Sequence, residues 1–244
     1  MIHSTAIISP KAKIHDKVTI GAFCIVHENV EISAGTSIGS FSEIGIESKL
    51  SKDQFLFIGK NSVIRSHASI YIGSTIGSHL QTGHYVSIRE NSVIGHHCQI
   101  GSRGDIQGDC LIGNYTKMHA DVHIGKKSKV GNYVWMFPEV LLTNDPTPPS
   151  QTLDGPTIKD FVVIASKALV FPGVIIEEDA VISANSVVKN DVPVGKLISG
   201  NPAKVICDAS IVRMHDNPRE KAYPWRKRFH RGYSEEDVAI WLNE

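Results

Sequence analysis

The sequence predicts an all-β chain wound into a parallel β-helix, a prism with three flat faces, and three observations carry that expectation. An aliphatic residue returns at every sixth position: Ile2, Ile8, Ile14, Ile20, Val26, Ile32, Ile38, Ile44. Small side chains recur two residues before that position, at Cys24, Thr36, Ser62, Ala68, Ser74, Cys98, Cys110 and Ser128. Glycine often follows it directly, as at Gly21, Gly39, Gly77 and Gly101. A period of six suits neither an amphipathic helix nor an alternating strand. It suits a hexapeptide that supplies one short strand and one corner, with the aliphatic side chain turned to the axis, where β-branched residues pack well.

The elements follow in order. The frame breaks around Glu47 to Phe57, resumes at Ile58 and runs to Leu142, with Thr82 its one non-aliphatic position. A second break covers 143–157, after which the frame restarts at Ile158 and runs to Val194. Three hexapeptides make a coil, so residues 18 apart stack, and about ten coils at ~4.8 Å give a prism roughly 48 Å long. The corner glycines are expected where close packing or unusual dihedrals would penalise a Cβ. Three of the four cysteines fill the inward small slot, which assigns them to packing. Residues 1–206 are expected to form the β-helix, with an excursion loop over 143–157. Residues 207–244 form a tail in which Ser234, followed by Glu235, Glu236 and Asp237, caps a short helix ending at Leu242. The tail's basic residues read as a solvated face.

Composition narrows the function classes. The chain has 244 residues and equal numbers of basic and acidic groups, 25 of each, so no nucleic-acid surface and no polybasic membrane anchor is expected. Its first residues show no basic-then-apolar leader, and no apolar run approaches the ~20 residues of a spanning helix. No CxxC spacing points to a metal or redox pair. A cytoplasmic location without membrane contact, free thiols and no bound metal are the expectations.

The motif Leu142-Thr143-Asn144-Asp145-Pro146, then Phe171-Pro172-Gly173-Val174, then Gly200-Asn201-Pro202-Ala203-Lys204 resembles hexapeptide-repeat acyltransferases. The stretch Gln81-Thr82-Gly83-His84-Tyr85 is similar to a segment of the same group, and the likeness is greatest to enzymes that N-acetylate amino sugars on nucleotide carriers. The period alone leaves handedness open, and general chain chirality favours right-handed crossovers. The resemblance implies a left-handed helix, a homotrimer, acetyl-CoA as donor and a small-molecule amino-sugar acceptor held in the groove between two prisms. A flat-faced prism needs a second subunit or a loop to wall a pocket, and the 143–157 excursion is the candidate wall.

Acyl transfer from a thioester to an amine needs a proton acceptor, a stabilised oxyanion and two aligned reactants. No nucleophile elbow or Cys–His pairing is visible, which favours direct transfer. His119 and His123 share one coil and are the candidate catalytic histidines: Asp105 stacks under His123, where it can orient the imidazole, and His119 flanks a corner, where it can touch substrate or thioester. The resemblance implies that Asn144 and Asp145 line the catalytic site. In related sugar O-acetyltransferases a histidine stands where Asp145 is, which argues here for an amine acceptor. His84, more than three coils below Asn144, is expected at the far end of an extended nucleotide sugar, with Asp105 also on the substrate side. The resemblance further implies Ser166, Ala184 and Lys189 at the pantetheine or phosphates of coenzyme A, with Lys204 in the closing motif.

Each assignment has a plainer alternative: surface histidines, an Asn-Asp-Pro turn, a passive loop insertion, and a stacked ladder for His79, His97, Tyr115 and Tyr133. Two other functions fit a prism. A γ-type carbonic anhydrase would use an interfacial three-histidine metal site. His79 and His84 have its pair spacing, but the third histidine is missing two coils earlier. A non-catalytic β-helix scaffold or binding module is the other.

Overall fold

The computed structural model describes residues 1–243 and forms a left-handed parallel β-helix. Three sheets of 10, 9 and 11 strands are its faces, parallel but for the last strand of the third, and are here called first, second and third after Ile7–Ile8, Lys13–Ile14 and Thr19–Ile20. Most strands are two residues long and pair at a spacing of 18, as Asp105↔His123 and Ile106↔Ile124 on the first face. From the third strand on, the inward residue of each pair is buried in one continuous core, against which Ile8 and Ile14 of the first two strands pack partly buried. The small residues two positions earlier are buried too, from Cys24 to Ser128. Burial pushes the thiols of Cys98 and Cys110 up to about 12, so neither forms the thiolate that nucleophilic chemistry needs.

Corners, not faces, set the winding. The third residue of nearly every corner adopts positive φ although it is seldom glycine: Phe41, His79, Tyr115, Asp121 and Phe161 all lie near +60°. That conformation costs an L-residue about 1–2 kcal/mol, and stacking of neighbouring corners offsets it. At the corner between second and third faces His79, His97, Tyr115, Tyr133 and Phe161 form a continuous stack with ring centroids 4.5–5.2 Å apart. At the corner between third and first faces Phe23, Phe41, His67 and Tyr85 stack in the same way. Arg103 and Asp121 then continue that column as a bidentate ion pair, with both contacts at 2.6 Å. The corner glycines serve close approach instead: a Cβ on Gly77 would lie 2.7 Å from the Gly95 carbonyl carbon.

Thr82 keeps its axial place because its hydroxyl accepts the Arg65 backbone N–H at 3.0 Å, which supplies the partner a buried hydroxyl requires. The last repeat departs from the expected frame. Val194 is 61% exposed, and Val192 and Ile198 take the inward places instead. Pro193 and Gly195, the latter at φ +63°, swing the chain outward between them. The hairpin Lys196–Gly200 with Ala203–Asp208 then closes the end.

The tail folds back along the prism. Trp225, Tyr233 and Trp241 pack on Tyr133, Trp135, Phe161 and Val163. Trp225 Nε1 donates to the Phe161 carbonyl at 3.1 Å, and Trp135 Nε1 donates to the Tyr233 hydroxyl at 2.9 Å. Helix α1 (Glu235–Asn243) starts as expected: the Ser234 hydroxyl accepts the Asp237 N–H at 3.1 Å and donates to its carboxylate at 2.8 Å. No helix among the described residues is long and apolar enough to cross a membrane.

Candidate active site

The outward column of the first face changes character along the prism. Ser69, Ser87, Asp105 and His123 are followed by Leu141, Leu169 and Val187. A polar stretch thus gives way to an apolar one at the coil that carries the excursion loop. His123 and Asp105 meet here, Nδ1 to Oδ2 at 2.9 Å. Asp105 also accepts from Gln107 Nε2 at 2.7 Å. Burial works to raise the Asp105 carboxyl, but the His123 and Gln107 hydrogen bonds outweigh it, and its pKa ends below the ordinary value. With Nδ1 committed to Asp105, Nε2 is the ring nitrogen left for a substrate proton.

The loop at 143–156 rises beside this column from the first-to-second corner. The Thr143 hydroxyl donates to the Val170 carbonyl at 2.9 Å, the Asp154 N–H to the Asn144 carbonyl at 2.8 Å, and the Gly173 N–H to the Asp154 carbonyl at 2.9 Å. These bonds pin both ends of the loop. Asn144 lies over Gly125, where an added Cβ would come 3.2 Å from its own. Asp145 spends its carboxylate inside the loop: it accepts the N–H groups of Thr147 and Ser150 and the Ser150 hydroxyl at 2.7–3.1 Å. The Ser150 bond holds its carboxyl below the usual range. That is the chemistry of a turn-shaping aspartate rather than of a base awaiting a proton.

The remaining expected site residues fall on the two edges of the first face. His119, Ser166 and Ala184 occupy the third-to-first corner, with His119 stacked on Phe137 at 4.8 Å. Lys189 lies at the opposite corner over the Phe171 ring, 5.1 Å from its centroid. Lys204 pairs with Ser199 in the closing hairpin. His84 sits lower on the third-to-first corner, its Nδ1 2.7 Å from the Ser66 hydroxyl. The single chain therefore brings His123 to Asp105 and sets Asn144 over Gly125, two residues along from His123, but does not gather the other residues into one cavity. His79 stacks on His97 at a different corner from His84, so the histidine pair considered for a metal does not converge. Among the described residues no three His, Cys, Asp or Glu side chains form a metal-sized group.

A separate concavity lies elsewhere, on the third face. It is an open groove of about 660 Å³, floored by Gln81, Gln99 and Lys117, bordered by Arg65 and His119, and walled by Trp135, Phe229 and Arg231. The Lys117 ammonium sits 4.5 Å from the ring centroids of both Trp135 and Tyr233. The residue column was open to sequence reasoning through the spacing of 18. The wall was not, because only docking of the tail brings Phe229 and Arg231 there.

No protein-family profile matches the chain. A segment of 98 residues is 32% identical to an acyl-[acyl-carrier-protein]–UDP-N-acetylglucosamine O-acyltransferase of Thermodesulfovibrio yellowstonii, over 31% of this chain and 38% of that protein. A segment of 70 residues is 39% identical to a 2,3,4,5-tetrahydropyridine-2,6-dicarboxylate N-acetyltransferase of Staphylococcus aureus, over 29% of this chain and 28% of that protein. The matches thus span little more than a third of these relatives' length. Among solved structures, an Arabidopsis UDP-N-acetylglucosamine acyltransferase superposes with a TM-score of 0.61 at 19% identity, covering 100% of this chain and 89% of that one. Repeat, aligned segments and whole-chain shape agree: the chain is a hexapeptide-repeat, left-handed parallel β-helix protein related to acyltransferases of that architecture.

Proposed function

We propose that the protein transfers an acyl group from a thioester carrier to a small acceptor along its first face, and more specifically that it acetylates an amino sugar, nucleotide-linked, with acetyl-CoA as donor. The observation that carries this reading is the His123–Asp105 pair set under a pinned loop where the face turns from polar to apolar. Likeness to a nucleotide-sugar acyltransferase and to an N-acetyltransferase supports it.

In this reading the acceptor amine attacks the thioester carbonyl and passes its proton to His123 Nε2, while Asp105 stabilises the imidazolium. A carbon–nitrogen bond forms, the tetrahedral oxyanion collapses, the carbon–sulfur bond breaks, and the proton goes on to the departing thiolate. Asn144 supports the oxyanion or the amine through its amide, Asp145 shapes the loop that presents it, and Leu141 and Leu169 line the pantetheine path. Ser166, Ala184, Lys189 and Lys204 are assigned to the donor, His84 to the acceptor's distal part, and His119, on the same coil as His123, to the reacting substrate or thioester. The site is completed by a neighbouring prism in a homotrimer, because one flat face cannot enclose two substrates.

A second reading keeps the same base but takes a carrier-protein thioester and a hydroxyl acceptor, as the name of the first relative describes for that protein. The test is a panel of amino and hydroxy nucleotide-sugars assayed by mass spectrometry with acetyl-CoA or an acyl-carrier protein as donor. Acetylated amino sugar is the expected product, and His123→Ala should lower kcat by at least a hundredfold while Asn144→Ala removes most turnover. Near-normal activity of His123→Ala would overturn its role as base. Exclusive use of the carrier-protein donor would move the assignment to the second reading.

A further inference from the structure

The acyl-transfer chemistry uses the groove on the third face only at its border, where His119 stands. Its floor runs along the third face from Arg65 through the strands of Gln81 and Gln99 to Lys117. Three strand spacings separate its ends, about 14 Å. Arg65, Lys117 and Arg231 bring three cationic side chains to it, and no Asp or Glu is among the lining residues. None of the three makes an ion pair with an acid among the described residues, although most other charged residues along the corners are paired, as in Arg103–Asp121 and Lys126–Asp109. Burial, and then the nearby Arg231 charge, hold the Lys117 ammonium below the usual lysine value. Two cations kept close in a partly desolvated site lose repulsion when an anion enters. Gln81 and Gln99 offer stacked side-chain amides along the floor, and Trp135 and Phe229 close the upper end with aromatic surface, their rings 5.6 Å apart.

We infer that this groove binds a nucleoside bearing phosphates, with the phosphates on Arg65, Lys117 and Arg231, the ribose hydroxyls and base edge on Gln81 and Gln99, and the base against Trp135 and Phe229. Forked guanidinium groups and a lysine point charge match phosphate oxygens, and aromatic side chains receive a base through its π-face. The same chemistry has two sources, the nucleoside diphosphate of an activated sugar and the adenosine phosphates of coenzyme A. The inference rests on the transfer reading for the source of its ligand and on the groove's charge and shape for the site, so nucleotide binding tests the groove while the activity panel tests the transfer.

The full-length protein would be titrated calorimetrically with UDP, with 3′,5′-ADP and with inorganic phosphate at fixed salt. The expected result is saturable binding of one of the nucleotides, with inorganic phosphate at least tenfold weaker. Arg65→Glu/Arg231→Glu should raise the Kd for that nucleotide at least tenfold, and Lys117→Met should do the same, without a change in the β-sheet circular dichroism. Loss confined to UDP assigns the groove to the acceptor, and loss confined to 3′,5′-ADP assigns it to the donor. Absence of binding by either nucleotide, a Kd indifferent to the charge changes, or phosphate binding as tightly as the nucleotides would each overturn the inference.

Discussion

Asp105 shows how a register spacing becomes a chemical pairing. The 18-residue ruler places it under His123, and the side chains meet at 2.9 Å. Because its folded pKa lies below the unfolded carboxylate value, its bonds add stability above about pH 4, and that contribution is lost as pH falls through the lower folded pKa. Asp105→Asn should therefore lower Tm at neutral pH, by about 1–4 °C for a partly exposed pair worth about 0.5–1 kcal/mol. The gap to the unsubstituted protein should narrow as the pH is brought toward 3, in paired melts. A gap that widens on acidification would contradict the pairing. Asp145 shows the opposite case: the sequence motif was legible, but the Ser150 and Thr147 bonds that occupy its carboxylate depend on how the loop closes.

At the scale of elements, the tail decides more than its composition suggested. Its basic residues read as a solvated face, yet Arg226 is buried and stacks over the Phe161 ring at 4.1 Å. Arg231 lines the groove. Trp241 is only 3% exposed and meets Tyr133, Phe161 and Tyr233 edge-on. Trp241→Ala should remove about 3 kcal/mol or more of packing, enough to undock α1 locally while the coils stay intact. Hydrogen exchange should then rise over residues 225–243 and not over the strands. Uniform protection would show that the tail is held by other contacts. The cap at Ser234 was readable because it is local; the docking site was not, because it joins residues nearly a hundred positions apart.

For the molecule as a whole, three flat faces and a loop at one corner leave the expected site residues on both edges of one face. If a neighbouring prism completes the site, the protein should run as a trimer in light scattering, at three times the 26.7 kDa chain mass. A monomer at micromolar concentration would require the reaction to be confined to a single prism.

The hexapeptide period determined by itself the three-faced helix, the inward aliphatic and small-residue positions, the aromatic ladder from His79 to Tyr133 and the pairing of His123 with Asp105. Each follows from a backbone geometry that repeats every 18 residues. The frame failed at its two ends: Ile2 stays 48% exposed, and beyond Val188 the chain turned Val194 outward, leaving Val192 in the second-face place and Ile198 of the closing hairpin in the third-face place. The groove on the third face, the wall that Phe229 and Arg231 give it, and the internal use of the Asp145 carboxylate were decided by tertiary structure alone. They depend on contacts between segments whose separation carries no period, so nothing in the spacing of residues announces them.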